Sequence, residues 1–164
     1  MIGIAGGADK CATVCAEYGA DAAIDYRNEN VAARLAELCP SGINLFYDNV
    51  GGQILEAAIA NMAHHGRIVL CGQISGYDLD RPKPGPSNLM TLVYRSVRME
   101  GFLLLAYVHL IGQAMQEIGA WAGSGKLHVR EDLQHGFENI PRTLMRLYRG
   151  ENNGKQLLKL RDPQ

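Results

Sequence analysis

INLFYDNVGG (residues 43–52) and GRIVLCGQIS (residues 66–75) decide the fold of this 164-residue chain. Each is a short apolar run that ends in a polar residue and glycine, and an amphipathic segment, residues 53–62, lies between them. The runs Leu45-Phe46-Tyr47 and Ile68-Val69-Leu70 do not alternate apolar with polar, which is the pattern of strands buried on both faces of a parallel sheet. Strand, helix and strand at this spacing predict a βαβ unit. Ligands of open α/β sheets bind beyond the carboxyl ends of the strands, so Asp48-Asn49 and Cys71-Gly72-Gln73 are the first candidates for function.

Upstream, residues 1–5 are apolar and predict a strand. Gly6-Gly7-Ala8-Asp9 turns into a helix running to Tyr18, with Gly19 as its stop. Residues 22–26 predict a short strand. Residues 31–38 predict a helix with Val31, Leu35 and Leu38 on one face, ended by Cys39-Pro40-Ser41-Gly42. Downstream, residues 73–88 form a loop carrying Pro82, Pro84 and Pro86, and connections this long are usually functional or mobile. Residues 89–95 predict a short helix and residues 98–105, RMEGFLLL, a strand. The next helix has its apolar stripe at Val108, Ile111, Met115, Ile118 and Ala122 and ends at Gly123-Ser124-Gly125. Beyond it, residues 126–133 alternate as a half-exposed strand, residues 141–149 predict a helix with proline first and Gly150 after its end, and residues 155–160 predict a final strand. A domain boundary near residues 123–126 divides 1–125 from 126–164, and the second part is too small to fold alone.

A net charge of −1 offers no electrostatic case for nucleic acid or an acidic membrane surface. No apolar run is long enough to span a bilayer, and residues 1–3 do not begin a signal peptide. Cys11, Cys15, Cys39 and Cys71 form no CxxC pair and read as reduced thiols of a cytoplasmic protein. Cys11 and Cys15 lie one helical turn apart without further ligands nearby, and His64, His65, His109, His128 and His135 have no metal-binding spacing, so no metal is expected. No convincing Ser/His/Asp or Cys/His set is present.

Dinucleotide-binding folds carry a glycine-rich turn after the first strand and an acidic residue at the end of the second. Residues 1–5 are followed by Gly6-Gly7 without GxGxxG, so as a first strand they would carry a defective phosphate turn. As a second strand they make sense: small residues replace the carboxylate and Lys10 follows, which favours the 2′-phosphate of NADP over NAD. Read alone, Lys10 is better taken as a solvated lysine in a first helical turn. Asp48-Asn49-Val50-Gly51-Gly52 likewise has a plain reading as a strand-to-helix turn with its cap. Tyr26 and Tyr94 also read as amphipathic surface aromatics.

GADK (7–10), IDYR (24–27), FYDNVGG (46–52), GRIVLCGQISGY (66–77), RMEGF (98–102), GFENIP (136–141) and GENNGK (150–155) stand in this order. Together they resemble the zinc-less medium-chain dehydrogenase/reductases, and within them the NADP-dependent prostaglandin reductase and alkenal double-bond reductase branch. The resemblance covers essentially the whole chain. It implies a partial Rossmann fold, a doubly wound parallel sheet lacking its first strand and phosphate turn, followed by a small β-α-β tail of a catalytic domain. The chain would then be the C-terminal half of an enzyme about twice as long.

Residue by residue, the resemblance implies that Lys10 pairs with the 2′-phosphate and Tyr26 lies along the adenosine phosphate side. Asn49 contacts the cofactor, and Cys71, Gly72, Gln73, Ile74, Ser75 and Tyr77 wrap it. Phe102, Leu103 and Leu104 flank the nicotinamide, and Asn152 reaches the cofactor from the returning segment. Tyr94 is the catalytic candidate, near the substrate carbonyl. The implied chemistry is NADPH-dependent reduction of a carbon–carbon double bond conjugated to a ketone or aldehyde, with homodimerisation through residues 98–105. Alternatives are an NADPH:quinone reductase of the same superfamily, or a truncated dimerisation and binding module without activity. The isolated chain is expected to turn over little or no substrate.

Overall fold

The computed structural model describes residues 1–76 and 84–161. It is an α/β chain with parallel strands. In order, its elements are β1 (Ile2–Ala5), α1 (Ala8–Ala16), β2 (Ala22–Asp25), α2 (Val31–Leu38), β3 (Ile43–Asp48), α3 (Gly52–Ala60) and β4 (Met62–Leu70). There follow α4 (Met90–Tyr94), β5 (Arg98–Gly101), α5 (Ile111–Gly123), β6 (Glu131–His135), α6 (Ile140–Tyr148) and β7 (Lys155–Lys159). β1 and β2 form a two-stranded sheet. The chain divides into two compact units, one of Ile24–His109 with Ile2, the other of Gly3–Ala23 and Leu110–Gln164 with Met1.

In the Ile24–His109 unit, β3, β4 and β5 are parallel in the order β3-β4-β5. Their register sets Phe46, Ile68 and Met99 side by side in one row. Leu55, Ile59, Met62 and Ile68 are buried as the core, with Ile43, Phe46, Leu70, Leu92, Val97 and Met99 packed against them. α3 supplies Leu55 and Ile59 and so covers this face of the sheet. α2 starts where the Asn30 side chain accepts the Ala33 N–H at 3.0 Å, satisfying one of the donors that a helix start leaves over.

The expectation that Leu45-Phe46-Tyr47 is buried on both faces is corrected. Phe46 faces the core, whereas Leu45 is 64% and Tyr47 54% exposed. An apolar run signals burial without saying which layer provides it, and here only one face of the strand is covered. The helix expected over residues 53–62 ends at Ala60, because Met62 already pairs with Ile43. Asn61 closes the helix by donating its side-chain amide to Ala57 O at 2.9 Å and Ala32 O at 3.1 Å. The register then shifts between Ile43 and Leu45, around His65, whose φ is 60°.

The strand expected over residues 98–105 stops at Gly101. Its parallel neighbour β4 ends at Leu70, opposite Gly101, and Phe102 N–H donating to Leu70 O at 2.8 Å is the last sheet bond. Without a partner strand, the backbone turns to local bonding, and Leu104–Leu110 is a 3₁₀ segment. Leu103, Leu104 and Leu105 are exposed.

In the other unit, β6 and β7 are parallel and α6 connects them. The strand expected at 126–133 lies instead at Glu131–His135, and its alternation turns Asp132 and Gln134 inward rather than Leu133. α6 begins with Pro141 in its first turn and is followed by Gly150 at φ 62°, as its sequence demands. α5 starts at Ile111, so Val108 precedes it, and Ile111, Met115, Ile118 and Ala122 of its stripe are exposed.

Candidate functional site

The carboxyl end of β3 is built around Asp48, which is 1% exposed. Its carboxylate accepts the Val50 N–H at 2.8 Å and the Gly51 N–H at 3.0 Å, so this side chain organises the turn into α3. The plain turn-capping reading therefore holds for Asp48. Asp48→Ala is expected to destabilise the chain by about 1–3 kcal/mol, because it strands buried N–H donors. Urea unfolding measures this.

Against that turn lies a backbone strap from the end of β4. Asp48 O accepts Cys71 N–H at 2.8 Å and Gly72 N–H at 3.2 Å. Asn49 O accepts Ile74 N–H and Val50 O accepts Ser75 N–H, both at 3.1 Å. The glycine pair makes room for this. A Cβ on Gly51, at φ 70°, would sit 2.7 Å from Gln73 Cγ, and one on Gly52 would sit 3.0 Å from Ser75 Oγ. Asn49, Cys71, Gln73 and Ile74 are exposed at this end of the sheet, with Gly72 and Ser75 half-buried. Of the residues singled out in the sequence, the structure thus gathers Asn49 with Cys71, Gly72, Gln73, Ile74 and Ser75. Tyr77 lies outside the described residues.

Sequence reasoning missed Tyr47. Its phenol is pushed above its ordinary value, chiefly by hydrogen bonding with Cys71 at the end of the neighbouring strand, and Asn49 opposes the shift. Tyr47 pairs in register with Val69, two residues before Cys71, and that strand register is the one signal that could have found it. Phe102 stacks on Tyr107 with ring centroids 5.1 Å apart, and Leu103 and Leu104 follow it in the open. Tyr94, the last residue of α4, is exposed. Tyr26 is exposed beside a turn in which buried Asp25 accepts Arg27 N–H at 3.0 Å and the Asn28 side-chain amide at 2.7 Å.

In the other unit, Lys10 is not a solvated lysine. It is half-buried, and its ammonium donates to Gly150 O at 2.6 Å. The turn that starts there carries Asn152, whose side-chain amide donates to Gly154 O at 2.8 Å. Lys10 and the turn holding Asn152 are therefore brought together from opposite ends of the chain. Among the described residues, no three His, Cys, Asp or Glu side chains are gathered to hold a metal ion. No helix among them is long and apolar enough to cross a membrane.

Each unit by itself offers donors that suit part of a phosphorylated dinucleotide. Lys10 offers a half-buried cation in the first turn of α1, behind Gly7 at φ 99°. The strap on the β3 turn offers polar groups at the carboxyl ends of two parallel strands, where open α/β sheets hold their ligands.

A family profile described as zinc-binding dehydrogenase matches residues 18–158. The chain is 34% identical to the NADPH-dependent curcumin reductase of Escherichia coli (strain K12), covering 98% of this chain and 48% of that protein. It is 37% identical to the NADP(+)-dependent 2-alkenal reductase of Nicotiana tabacum, covering 96% of this chain and 46% of that protein. It thus spans about half the length of the curated relatives it matches. The crystal structure of CurA from Vibrio vulnificus in complex with NADPH superposes with a TM-score of 0.90 at 34% identity, over 99% of this chain and 50% of that one. By the extent of the family match and these identities, the chain belongs to the medium-chain dehydrogenase/reductase superfamily and corresponds to the C-terminal half of its curcumin and alkenal reductases.

Proposed function

We propose that this chain is the NADP-binding half of an oxidoreductase that reduces the carbon–carbon double bond of α,β-unsaturated ketones and aldehydes. The observation that carries the reading is the strap of residues 71–75 hydrogen-bonded along the Asp48–Val50 backbone, which leaves Asn49 and Gln73 open at the strand ends. It is supported by relatives named for NADPH-dependent reduction of such compounds. In this reading residues 1–125 belong to a Rossmann domain, and residues 126–164 return to a catalytic domain.

When bound, NADPH supplies a hydride to the β-carbon of the substrate. The chain's own residues bind, orient and stabilise. Lys10 holds the 2′-phosphate, Tyr26 lies along the adenosine phosphate, and Asn49 with residues 71–75 and Tyr77 fixes the ribose and diphosphate side. Phe102, Leu103 and Leu104 flank the nicotinamide ring and exclude water, and Asn152 adds a contact from the returning segment. The Tyr94 hydroxyl donates a hydrogen bond to the carbonyl oxygen, where negative charge develops. The proton that completes the reaction reaches the α-carbon from solvent. The open edge of β5 pairs with a second copy, since an uncovered strand edge invites such pairing.

Thermal unfolding of the purified chain with NADPH, and with NADH as control, tests this. Ligand at a hundred times its dissociation constant is expected to add about 2.7 kcal/mol. A transition that rises with NADPH and not with NADH supports the reading. No shift at millimolar NADPH overturns it in favour of a binding module without cofactor.

A further inference from the structure

We propose that Asp132 is a positioning residue for the cofactor: it holds the turn of residues 150–154 so that Asn152 is presented to the ligand. This rests on the reading of Asn152 as a cofactor contact. Asp132 points inward from β6, with its side chain 12% exposed. Its Oδ2 accepts the Asn153 N–H at 3.0 Å and an Arg146 guanidinium N–H at 2.8 Å, and its Oδ1 accepts the Gln134 side-chain amide at 2.8 Å. Its backbone carbonyl accepts the Gln156 side-chain amide at 2.7 Å. The Asn153 N–H, followed by Gln134 and Arg146, holds the carboxyl below its ordinary value despite burial.

The rest of the turn is pinned as well. Gly150 O takes the Lys10 ammonium. Gly154, at φ 109°, lies so close to the strand that a Cβ would sit 2.4 Å from Arg130 O, and Lys155 N–H donates to the same oxygen at 2.7 Å. Asn152 stands between the pinned positions, and the carboxylate's bond falls on the next residue in the chain rather than on the strand pairing. A site whose groups are held by charged, half-buried partners is preorganised.

The test is a double-mutant cycle on NADPH affinity, measured by titration of the purified chain, with Asp132→Asn, Asn152→Ala and both together. The amide of Asp132→Asn is isosteric, removes the charge and opposes one of the donors. Each single change is expected to raise the NADPH Kd by about 5- to 10-fold, and Asp132→Asn is expected to add nothing once Asn152 is alanine. A merely structural carboxylate would weaken binding by the same factor in both backgrounds, or not at all. Either result, with Asn152→Ala impaired, overturns the role of Asp132 and leaves the cofactor reading intact. A native chain that does not bind NADPH, or an Asn152→Ala chain that binds as well as the native one, overturns the cofactor reading itself. If Asp132→Asn does not fold, Asp132→Glu carries the same cycle with the charge kept and displaced by one methylene.

Discussion

Ile68→Ala is expected to cost about 2–5 kcal/mol of stability, a large share of what a domain this size possesses. Ile68 is 1% exposed on β4, the middle strand of its sheet, between Phe46 on β3 and Met99 on β5, and it packs with Leu55, Ile59 and Met62. Truncation removes its transfer energy and leaves a cavity that three registered strands cannot collapse. Because the chain has two units, the effect is best read from hydrogen exchange of the β4 amides, with urea unfolding as the companion measurement. Ile68→Val should cost about 0.5–1.5 kcal/mol at the same site.

Leu45→Ala is the informative contrast. It lies one residue from Phe46 on the same strand but on the face that is exposed, so the isolated chain should lose no more than about 0.5 kcal/mol. Equal costs at Leu45 and Ile68 would show that something covers the open face in solution. A concentration-dependent cost at Leu45 would identify a second copy as that cover.

That contrast also shows what the sequence makes legible. Strand and helix succession follows from apolar runs and glycine stops, and β3, α2, α6 and β7 fall where they are read. The Asp48 cap is equally local, since its bonds reach only two and three residues ahead. Coverage is not local. Leu45 and Tyr47 read as buried because their run is apolar, yet the layer that would bury them is not encoded in the run. The end of β5 depends on where β4 stops, and the inward face of β6 carries Asp132 and Gln134, which no hydrophobic periodicity can reveal. The candidate site divides in the same way. Asn49 and residues 71–75 are visible because they end strands, whereas the bond from Lys10 to Gly150 joins positions 140 residues apart and leaves no local trace.

Lys10→Gln is expected to weaken NADPH binding by about 10- to 100-fold, the worth of a charged hydrogen bond, and to leave NADH binding unchanged. The ammonium donates to Gly150 O at 2.6 Å. Glutamine keeps a donor for that carbonyl while removing the charge that the 2′-phosphate would meet. Lys10→Met removes both, so it should weaken NADH as well by loosening the turn that carries Asn152. Isothermal titration with the two nucleotides at two salt concentrations separates the roles. If the ammonium meets the phosphate, the NADPH affinity of the native chain falls with salt more steeply than that of Lys10→Gln. If Lys10→Gln weakens both nucleotides alike, Lys10 acts only as the tether of the 150–154 turn, and the preference for a 2′-phosphate has to come from another cation.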